Sequence, residues 1–383
     1  MSGDELSKSG WAAVSERERT ELGNQNSKVH HWWPRALHKY WEQAGKISWI
    51  EPNSDLGSMS VKNDKIGYIH HGHTVRIDQL SPEGVRTEDK INYEPIFGDV
   101  DNSIPEIVTF CKLSSFPSWR WREILKFLIR AKKAFHRDQT VAKVVEIDPA
   151  LASKVALLVL SIVERCPGNR AKFERTINRF WNNGLEQNQV KPIVASNVVR
   201  DWKAKAAALD GRFQGIDLTI LFSPYENFMF GDGIANNIEM KYFDQGGKLM
   251  EIVVGKGYFP LTPKICICLS LTVRDSNKFP HRCLSTLVVP DQVQEINIAS
   301  SCASVGKLHF LGTIPTLTPQ FQREARQQHS ISTLTVTSFL EQQFETLPLT
   351  PTAPPPSPPA RNPQTAGAAR TALTSTPGGT ERR

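Results

Sequence analysis

The stretch Ile265-Cys-Ile-Cys-Leu-Ser-Leu271 is the clearest strand signal in this chain, and it sets the fold class of the carboxyl-terminal third. Its cysteines alternate with isoleucines, so both thiols lie on one face of the predicted strand. Buried thiols are the simplest interpretation of that pattern. Further strands are predicted over 217–222, 227–230, 249–254 and 308–311, with a helix over 293–304. We therefore expect residues 215–346 to form a mostly antiparallel sheet with a terminal helix.

Residues 104–210, which precede this block, have the signals of helices. Asp148 is a typical N-cap residue and Pro149 follows it in the first turn, which predicts a helix that ends before Pro167. Further helices are expected from Trp119 to Phe135, over 171–181 and near 198–209. The first of these has an apolar stripe at spacings of three and four, formed by Trp121, Ile124, Leu125, Leu128, Ile129 and Phe135. The central block is predicted to be a helical bundle.

Residues 30–100 contain short strand-like runs. Two of them are Lys46-Ile-Ser-Trp-Ile50 and Lys65-Ile-Gly-Tyr-Ile69, and turn-forming residues separate them. We expect a small antiparallel sheet with one buried face. Strands, helices and strands again, in segregated blocks, indicate an α+β architecture.

Both ends of the chain differ in composition from the blocks between them. Residues 1–27 are polar and lack a sustained apolar period, so we expect a disordered leader. Residues 347–383 are rich in Pro, Ala and Thr, a composition that cannot bury enough apolar surface to offset chain entropy. We expect a disordered Pro-rich tail, which is a candidate binding segment for a protein partner. A single domain is expected over 28–346.

The composition is that of a globular protein, with 383 residues, 39% hydrophobic and 22% charged, and a formal net charge of +7. This mild basic balance is compatible with nucleic acid as a partner without requiring it. No stretch approaches the roughly 18 apolar residues that a membrane span needs, and the first residues lack the pattern of a secretory signal. None of the six cysteines belongs to a C-x-x-C pair, which agrees with a reducing compartment. We therefore expect a cytoplasmic protein with no membrane partner.

Five short motifs follow one another along the chain and are candidates for a functional site. The first, His30-His31-Trp32-Trp33-Pro34, groups two imidazoles and two indoles just after the polar leader. The others are Arg165-Cys-Pro-Gly-Asn-Arg170, Gly231-Asp-Gly233, Phe259-Pro-Leu-Thr-Pro263 and Glu295-Ile-Asn-Ile-Ala299. This ordered series resembles the bacterial family known as domain of unknown function 4238. Members of that family share H-H-x-x-P, R-x-P-x-x-R, S-D-N-P and P-L-S-P motifs and a late helix that contains an asparagine.

The resemblance covers roughly residues 30–312 and implies a site among the shared positions. The matching residues are His30, His31, Arg165, Pro167, Arg170 and Asp232. Gly231-Asp-Gly-Ile234 departs from the S-D-N-P motif, since only the aspartate is kept. The family has no established activity, so the resemblance implies a site and names no reaction.

The chemistry of these residue types suggests a hydrolase. A histidine can act as general acid or base or can bind a metal, and a carboxylate on a turn can orient a histidine or bind a divalent ion. Arginines bind phosphate through two parallel hydrogen bonds. We hypothesise hydrolysis of nucleic acid or another phosphate ester, with a divalent metal as a candidate cofactor. The catalytic residues would be His30, His31 and Asp232, and the substrate-binding residues Arg165 and Arg170.

Each of these residues also has a structural interpretation. The two histidines can bond backbone carbonyls while the neighbouring tryptophans fill the core. The two arginines can be cations at a helix C-terminus, and Asp232 can be a simple turn residue. A second cluster, His70, His71 and His73, suits either a metal site or a surface loop.

The alternative function is a non-catalytic module that binds protein or nucleic acid. In that case Trp32, Trp33, Tyr40 and Trp41 form an aromatic recognition surface, and the Pro-rich tail tethers a partner. The motifs of P-loop nucleotide hydrolysis, Rossmann redox enzymes, serine hydrolases and zinc proteases do not occur in the sequence. Whether the protein is an enzyme stays open at this level.

Overall fold

The computed structural model describes most of the chain between the two termini. The described residues are 29–51, 58–70, 74–80, 86–135, 142–180, 187–245 and 248–312. All of them belong to one compact unit, Met1–Thr346. The predicted leader and the predicted Pro-rich tail lie outside the described residues.

The α-helices of the described residues come mostly from the middle of the chain. In chain order they are α1 (Arg35–His38), α2 (Gly98–Asn102), α3 (Ile104–Ser114), α4 (Trp121–Phe135), α5 (Pro149–Arg165), α6 (Pro167–Phe180), α7 (Gln187–Leu209) and α8 (Pro290–Ala303). Short 3-10 helices cover Asn63–Lys65, Glu94–Phe97 and Phe116–Ser118.

The strands come from both sides of this helical block. In chain order they are β1 (Val29–His31), β2 (Lys46–Ile50), β3 (Met59–Lys62), β4 (Tyr68–His70), β5 (Thr74–Leu80), β6 (Arg86–Asn92), β7 (Lys143–Val145), β8 (Gln214–Phe222), β9 (Phe230–Gly231), β10 (Glu239–Gln245), β11 (Lys248–Thr262), β12 (Ile265–Val273), β13 (Arg282–Leu287) and β14 (Leu308–Phe310).

A six-stranded sheet in the order β10-β11-β12-β8-β13-β7 forms the centre of the fold. Its pairs are antiparallel except β8 with β13, which run parallel. Strands β8 and β12 are buried along almost their whole length. Both faces of these strands are covered, so their polar side chains, such as Gln214, Asp217 and Thr219, are buried together with the apolar ones. The predicted α+β class, with its mostly antiparallel sheet and terminal helix, is confirmed.

A four-stranded sheet in the order β3-β2-β14-β9 joins the two ends of the described chain. Leu308 of β14 pairs with Ile50 of β2 on one side and with Gly231 of β9 on the other. The amino-terminal strands were expected to form a sheet of their own. They do pair with one another in antiparallel fashion, β1 with β4, β2 with β3 and β5 with β6. However, β2 also pairs with β14 of the carboxyl-terminal block, a long-range contact that no local pattern reveals.

Helix α5 is the central helix of the helical layer. Its N-cap Asp148 accepts a hydrogen bond from the backbone N–H of Leu151, as predicted, and Pro149 occupies the first position. Seven apolar side chains between Ala152 and Ile162 are buried, so the helix is covered on most sides. It packs on β8, while α7 packs on β11.

Several elements differ from their predicted limits for identifiable reasons. The predicted strand over 227–230 shrinks to β9, because the N–H of Phe228 donates to the Pro263 carbonyl and the N–H of Met229 donates to the Asn297 side chain. Helix α7 begins at Gln187, well before the predicted start. The prediction missed its first turns because the polar run up to Pro192 has no apolar period. Strand β7 was not predicted, and it pairs with β13 at the edge of the sheet.

The main correction to the helical block concerns the apolar stripe of α4, which does not face the core as a whole. Trp121, Leu125, Leu128 and Ile129 are exposed, and only the face that contains Ile124 and Phe127 is half-buried against the protein. Across the described residues, no helix has the length and apolar character needed to cross a membrane.

Candidate functional site

Two of the motifs and the end of α8 meet where α5 ends and α6 begins. The N–H of Gly168 donates to the Asp232 carbonyl at 2.8 Å. A Cβ on Gly168 would lie 2.5 Å from the Ala303 carbonyl oxygen, so the absence of a side chain allows this close approach. The R-x-P-x-x-R segment, the Gly-Asp-Gly turn and the end of α8 are therefore packed backbone against backbone.

The Asp232 carboxylate is hydrogen-bonded to the loop that follows α8. It accepts hydrogen bonds from the backbone N–H groups of Val305 at 2.9 Å, Gly306 at 3.0 Å and Lys307 at 3.1 Å. Burial raises the pKa of Asp232 above its ordinary value, and these backbone hydrogen bonds act against the rise. Both carboxylate oxygens are occupied, so Asp232 holds the connection between α8 and β14. The predicted catalytic role has no support in this geometry.

Arg165 is fully buried and connects α5 to α2. Its two terminal nitrogens donate to the Asp101 carboxylate at 2.9 and 2.7 Å, and its Nε donates to the Ser161 carbonyl. The guanidinium also lies 4.6 Å from the ring centroid of Phe97. With no exposed surface on its side chain, Arg165 is a structural residue rather than the predicted substrate-binding one.

The two histidines lie on β1, which pairs with β4. His30 is fully buried. The backbone N–H of His31 donates to Glu94 Oε1 at 2.7 Å, and His31 Nδ1 lies 3.7 Å from the same oxygen. Burial alone would raise the pKa of Glu94, but the hydrogen bonds from His31 and the charges of both histidines lower it. Glu94, which no motif indicated, is therefore an acidic neighbour of both histidines.

The tryptophans of the first motif belong to the core. Trp33 stacks on Phe230 at a centroid distance of 4.6 Å and lies 4.8 Å from the ring of His309. Trp32, Trp33 and Trp41 are buried, so they do not form the predicted aromatic recognition surface, and Tyr40 is half-buried. The structural interpretation of the tryptophans is confirmed.

Arg170 lines a cavity of about 230 Å³ between α5, α6 and α7. Its guanidinium lies 5.9 Å from the ring centroid of Tyr93. Its Nε is buried and has no hydrogen-bond acceptor among the described residues. Of the five residues predicted for the site, Arg170 is the one that lines this cavity.

Four charged side chains surround this cavity: Arg170, Glu164, Asp201 and Lys205. Lys205 Nζ donates to Glu164 Oε1, and the two side chains are only 11% and 12% exposed. Burial raises the pKa of Glu164, the Lys205 charge acts against the rise, and the Asp201 charge adds to it. The cavity therefore combines two cations with a carboxyl group that binds a proton more readily than an ordinary glutamate.

The sequence motifs did not indicate the other charged residues that line the cavity with Arg170. On α7, Val194, Val198, Asp201 and Lys205 follow one another at spacings of four, three and four and line the same cavity. A charged pair that continues an apolar helical stripe is the signal that could have revealed the site.

Metal-binding groups and cysteines add no second site in the described residues. No group of three or more His, Cys, Asp and Glu side chains is placed there to bind a metal ion. The divalent metal therefore stays a prediction without an assigned site. Of the second histidine cluster, His71 and His73 lie outside the described residues. All six cysteines are present as thiols, five of them buried.

Comparison of the chain with protein-family models, curated proteins and solved structures finds no match. The resemblance to domain of unknown function 4238 stays a prediction based on its motifs. The fold and the site define an α+β protein with a charged cavity inside its helical layer, and the function is argued from that geometry.

Proposed function

We propose that this protein binds a small phosphate ester in the cavity between α5, α6 and α7 and hydrolyses it. Arg170 and Lys205 would contact the phosphate, and Glu164 would transfer a proton. The observation that supports this proposal is the buried Nε of Arg170, which faces no acceptor in the described protein while the guanidinium lines a cavity.

An anionic ligand that reached this unpaired donor would satisfy it. A buried polar group without a partner costs about 1–3 kcal/mol, which a phosphate or carboxylate oxygen in the cavity would recover. A phosphate group suits the site better than a carboxylate because it offers three acceptor oxygens to two cations from different helices. Lys205 lies on α7 and Arg170 on α6, so the ligand would bridge the two helices.

Glu164 has the properties of a proton donor in such a site. Its pKa is already raised by burial. A phosphate bound beside it brings further negative charge, which favours the protonated carboxylic acid. A carboxylic acid in that position can protonate the leaving oxygen of the ester as water attacks phosphorus.

The size of the cavity selects a small ester over a polynucleotide. Its volume of about 230 Å³ lies below the 300–1,000 Å³ that is typical of pockets for drug-sized ligands. The hypothesis of a nucleic-acid substrate is therefore narrowed to a compact monoester. Of the residues predicted to act, Arg170 is retained and joined by Glu164 and Lys205.

Two further proposals concern origin and location. We propose that the chain is related to the bacterial family that its motifs resemble, and that it works in the cytoplasm. The six cysteines, all thiols, support a reducing compartment.

Ligand binding is tested by calorimetric titration with inorganic phosphate and with p-nitrophenyl phosphate. Arg170→Gln should weaken binding at least about tenfold, which corresponds to roughly 1.4 kcal/mol. Arg175→Gln, on the exposed side of the same helix, is the matched control and should bind as the unmodified protein does. Unchanged affinity in Arg170→Gln would contradict the proposed site.

The hydrolase is tested separately by release of p-nitrophenol. Glu164→Gln should keep phosphate affinity within a few-fold but lose most turnover of phenyl phosphate, because an amide cannot donate the proton that this basic leaving oxygen requires. It should retain more turnover of p-nitrophenyl phosphate, whose leaving oxygen departs as a stable anion. If the unmodified protein binds phosphate but releases no p-nitrophenol, the non-catalytic alternative is favoured over the enzyme.

A further inference from the structure

Helix α4 exposes an apolar surface that the described part of the chain does not cover. The exposed fractions of Trp121, Leu125, Leu128 and Ile129 are 72%, 47%, 52% and 52%. Spacings of four, three and one residue place these side chains along one side of the helix. The opposite side packs inward, where the ring of Phe127 lies 5.2 Å from that of Trp119. Four large apolar side chains at this spacing form a continuous exposed stripe, which is unusual on a protein surface.

A row of cations lies beside the stripe. Arg122, Lys126 and Arg130 follow one another at spacings of four and are all exposed. The acidic side chain on this helix, Glu123, is paired with Lys143 at 2.8 Å on the inward side. The stripe and the row together are called here the basic amphipathic face.

We infer that the basic amphipathic face binds the surface of an anionic phospholipid bilayer, with α4 lying parallel to the membrane plane. The aliphatic side chains would enter the boundary between headgroups and acyl chains, and the cations would contact lipid phosphates. Trp121 stands at the start of the helix, and indoles favour this interfacial depth. Such peripheral binding needs no membrane-spanning helix, and it revises the expectation that the protein has no membrane partner.

Other anionic partners fit the same face less well. A nucleic acid would pair with the cations, but its backbone offers nothing apolar to Leu125, Leu128 and Ile129. An acidic protein would need a groove that matches this convex ridge, whereas a bilayer deforms around it. The combination of aliphatic stripe and cationic row therefore favours the lipid surface.

The test is co-sedimentation of the full chain with vesicles of phosphatidylcholine that contain about one third phosphatidylserine. The unmodified protein should bind these vesicles, bind pure phosphatidylcholine vesicles at least tenfold more weakly, and dissociate at high salt. Leu125→Ser/Leu128→Ser should reduce binding at least tenfold. Lys126→Gln/Arg130→Gln should reduce binding to anionic vesicles specifically.

Matched controls separate the face from general surface effects. Tyr225→Ser/Tyr242→Ser removes two apolar side chains that are 79% and 65% exposed elsewhere, and it should bind as the unmodified protein does. Arg175→Gln/Arg179→Gln removes two exposed cations from α6 and should also leave binding unchanged. Circular dichroism checks that each variant is folded, which is expected because all the replaced side chains are exposed.

Three results would overturn the inference. The unmodified protein could fail to sediment with anionic vesicles, or Leu125→Ser/Leu128→Ser could bind them normally. The unmodified protein could also form a dimer or bind an acidic protein through the same stripe without binding vesicles, which would assign the face to a protein partner. None of these results affects the phosphate cavity, since α4 contributes no residue to it.

Discussion

Arg165 and Arg170 lie only five residues apart, yet the first is a structural residue and the second lines the proposed site. Arg165 ends α5, where Asp101 and the Ser161 carbonyl accept from its donors and Phe97 covers its face. Arg170 lies in the first turns of α6 and lines the cavity, where its Nε has no acceptor in the described residues. Residue type and motif were the same for both, and the neighbours brought by the fold decided the difference.

At the residue scale, His309 should make the protein sensitive to acid. Burial among aromatic rings lowers the pKa of His309 from 6.5 to about 3. Between these pH values the unfolded chain binds a proton that the folded chain does not, so the stability present above pH 6.5 is lost as the pH falls. The free energy of unfolding should decrease by up to about 1.4 kcal/mol per pH unit from this residue alone. Urea unfolding at a series of pH values should show a flatter dependence in His309→Gln, and an identical slope would argue against the buried neutral histidine.

The turn around Asp232 meets the end of α8 through close contacts that only glycine permits. At the turn between β9 and the strand β10 that follows, Gly231 and Gly233 flank Asp232 and lie against the end of α8. A Cβ on Gly231 would come within 1.9 Å of Ser304 Oγ. The Gly-Asp-Gly motif is therefore explained by packing between a turn and a helix, with no catalytic function required.

At the element scale, Gly233→Ala should destabilise this junction. The added Cβ would lie 1.9 Å from the Ala303 carbonyl oxygen, so one of two backbones must move. We expect a loss of about 2 kcal/mol in the free energy of unfolding, typical of overpacking. Gly98→Ala is the control, because nothing lies within 4 Å of its Cβ position, and it should be neutral or slightly stabilising. Equal stability of both variants by thermal melting would contradict the close contact.

The whole molecule is held together by pairings between the two ends of the described chain. Strand β14 lies between β2 and β9, so the amino-terminal strands complete a sheet with the carboxyl-terminal block. The aromatic cluster around Trp33 and Phe230 makes a second link across the same boundary. Buried apolar side chains of both parts belong to one core cluster.

At the scale of the whole molecule, these links predict a single unfolding transition. Tryptophan fluorescence reports all nine tryptophans, of which Trp32, Trp33 and Trp41 belong to the aromatic cluster. Far-ultraviolet circular dichroism reports helices and sheets. Their urea transitions should coincide, and Trp33→Phe should lower both midpoints by the same amount. Separate transitions, with fluorescence changing first, would show that the amino-terminal strands unfold independently.

Local patterns were sufficient for much of the secondary structure. The Asp148 cap and the apolar runs that became β2, β8 and β12 depend on side chains close in sequence, so periodicity and capping identified them. For α4, the prediction of an apolar stripe at helical spacing was correct, but the expectation that the stripe is buried was wrong. Periodicity identifies an apolar face and does not say what covers it.

The sequence by itself determined the α+β class, the helical block and the positions where motifs lie. The tertiary structure decided that Asp232 and Arg165 are structural, that Glu94 accompanies the histidines and that Arg170 lines a cavity with Glu164 and Lys205. The physical reason is that helix and strand formation depends on near neighbours. The role of a charged side chain depends instead on hydrogen-bond partners and burial, which distant segments supply only when the chain folds.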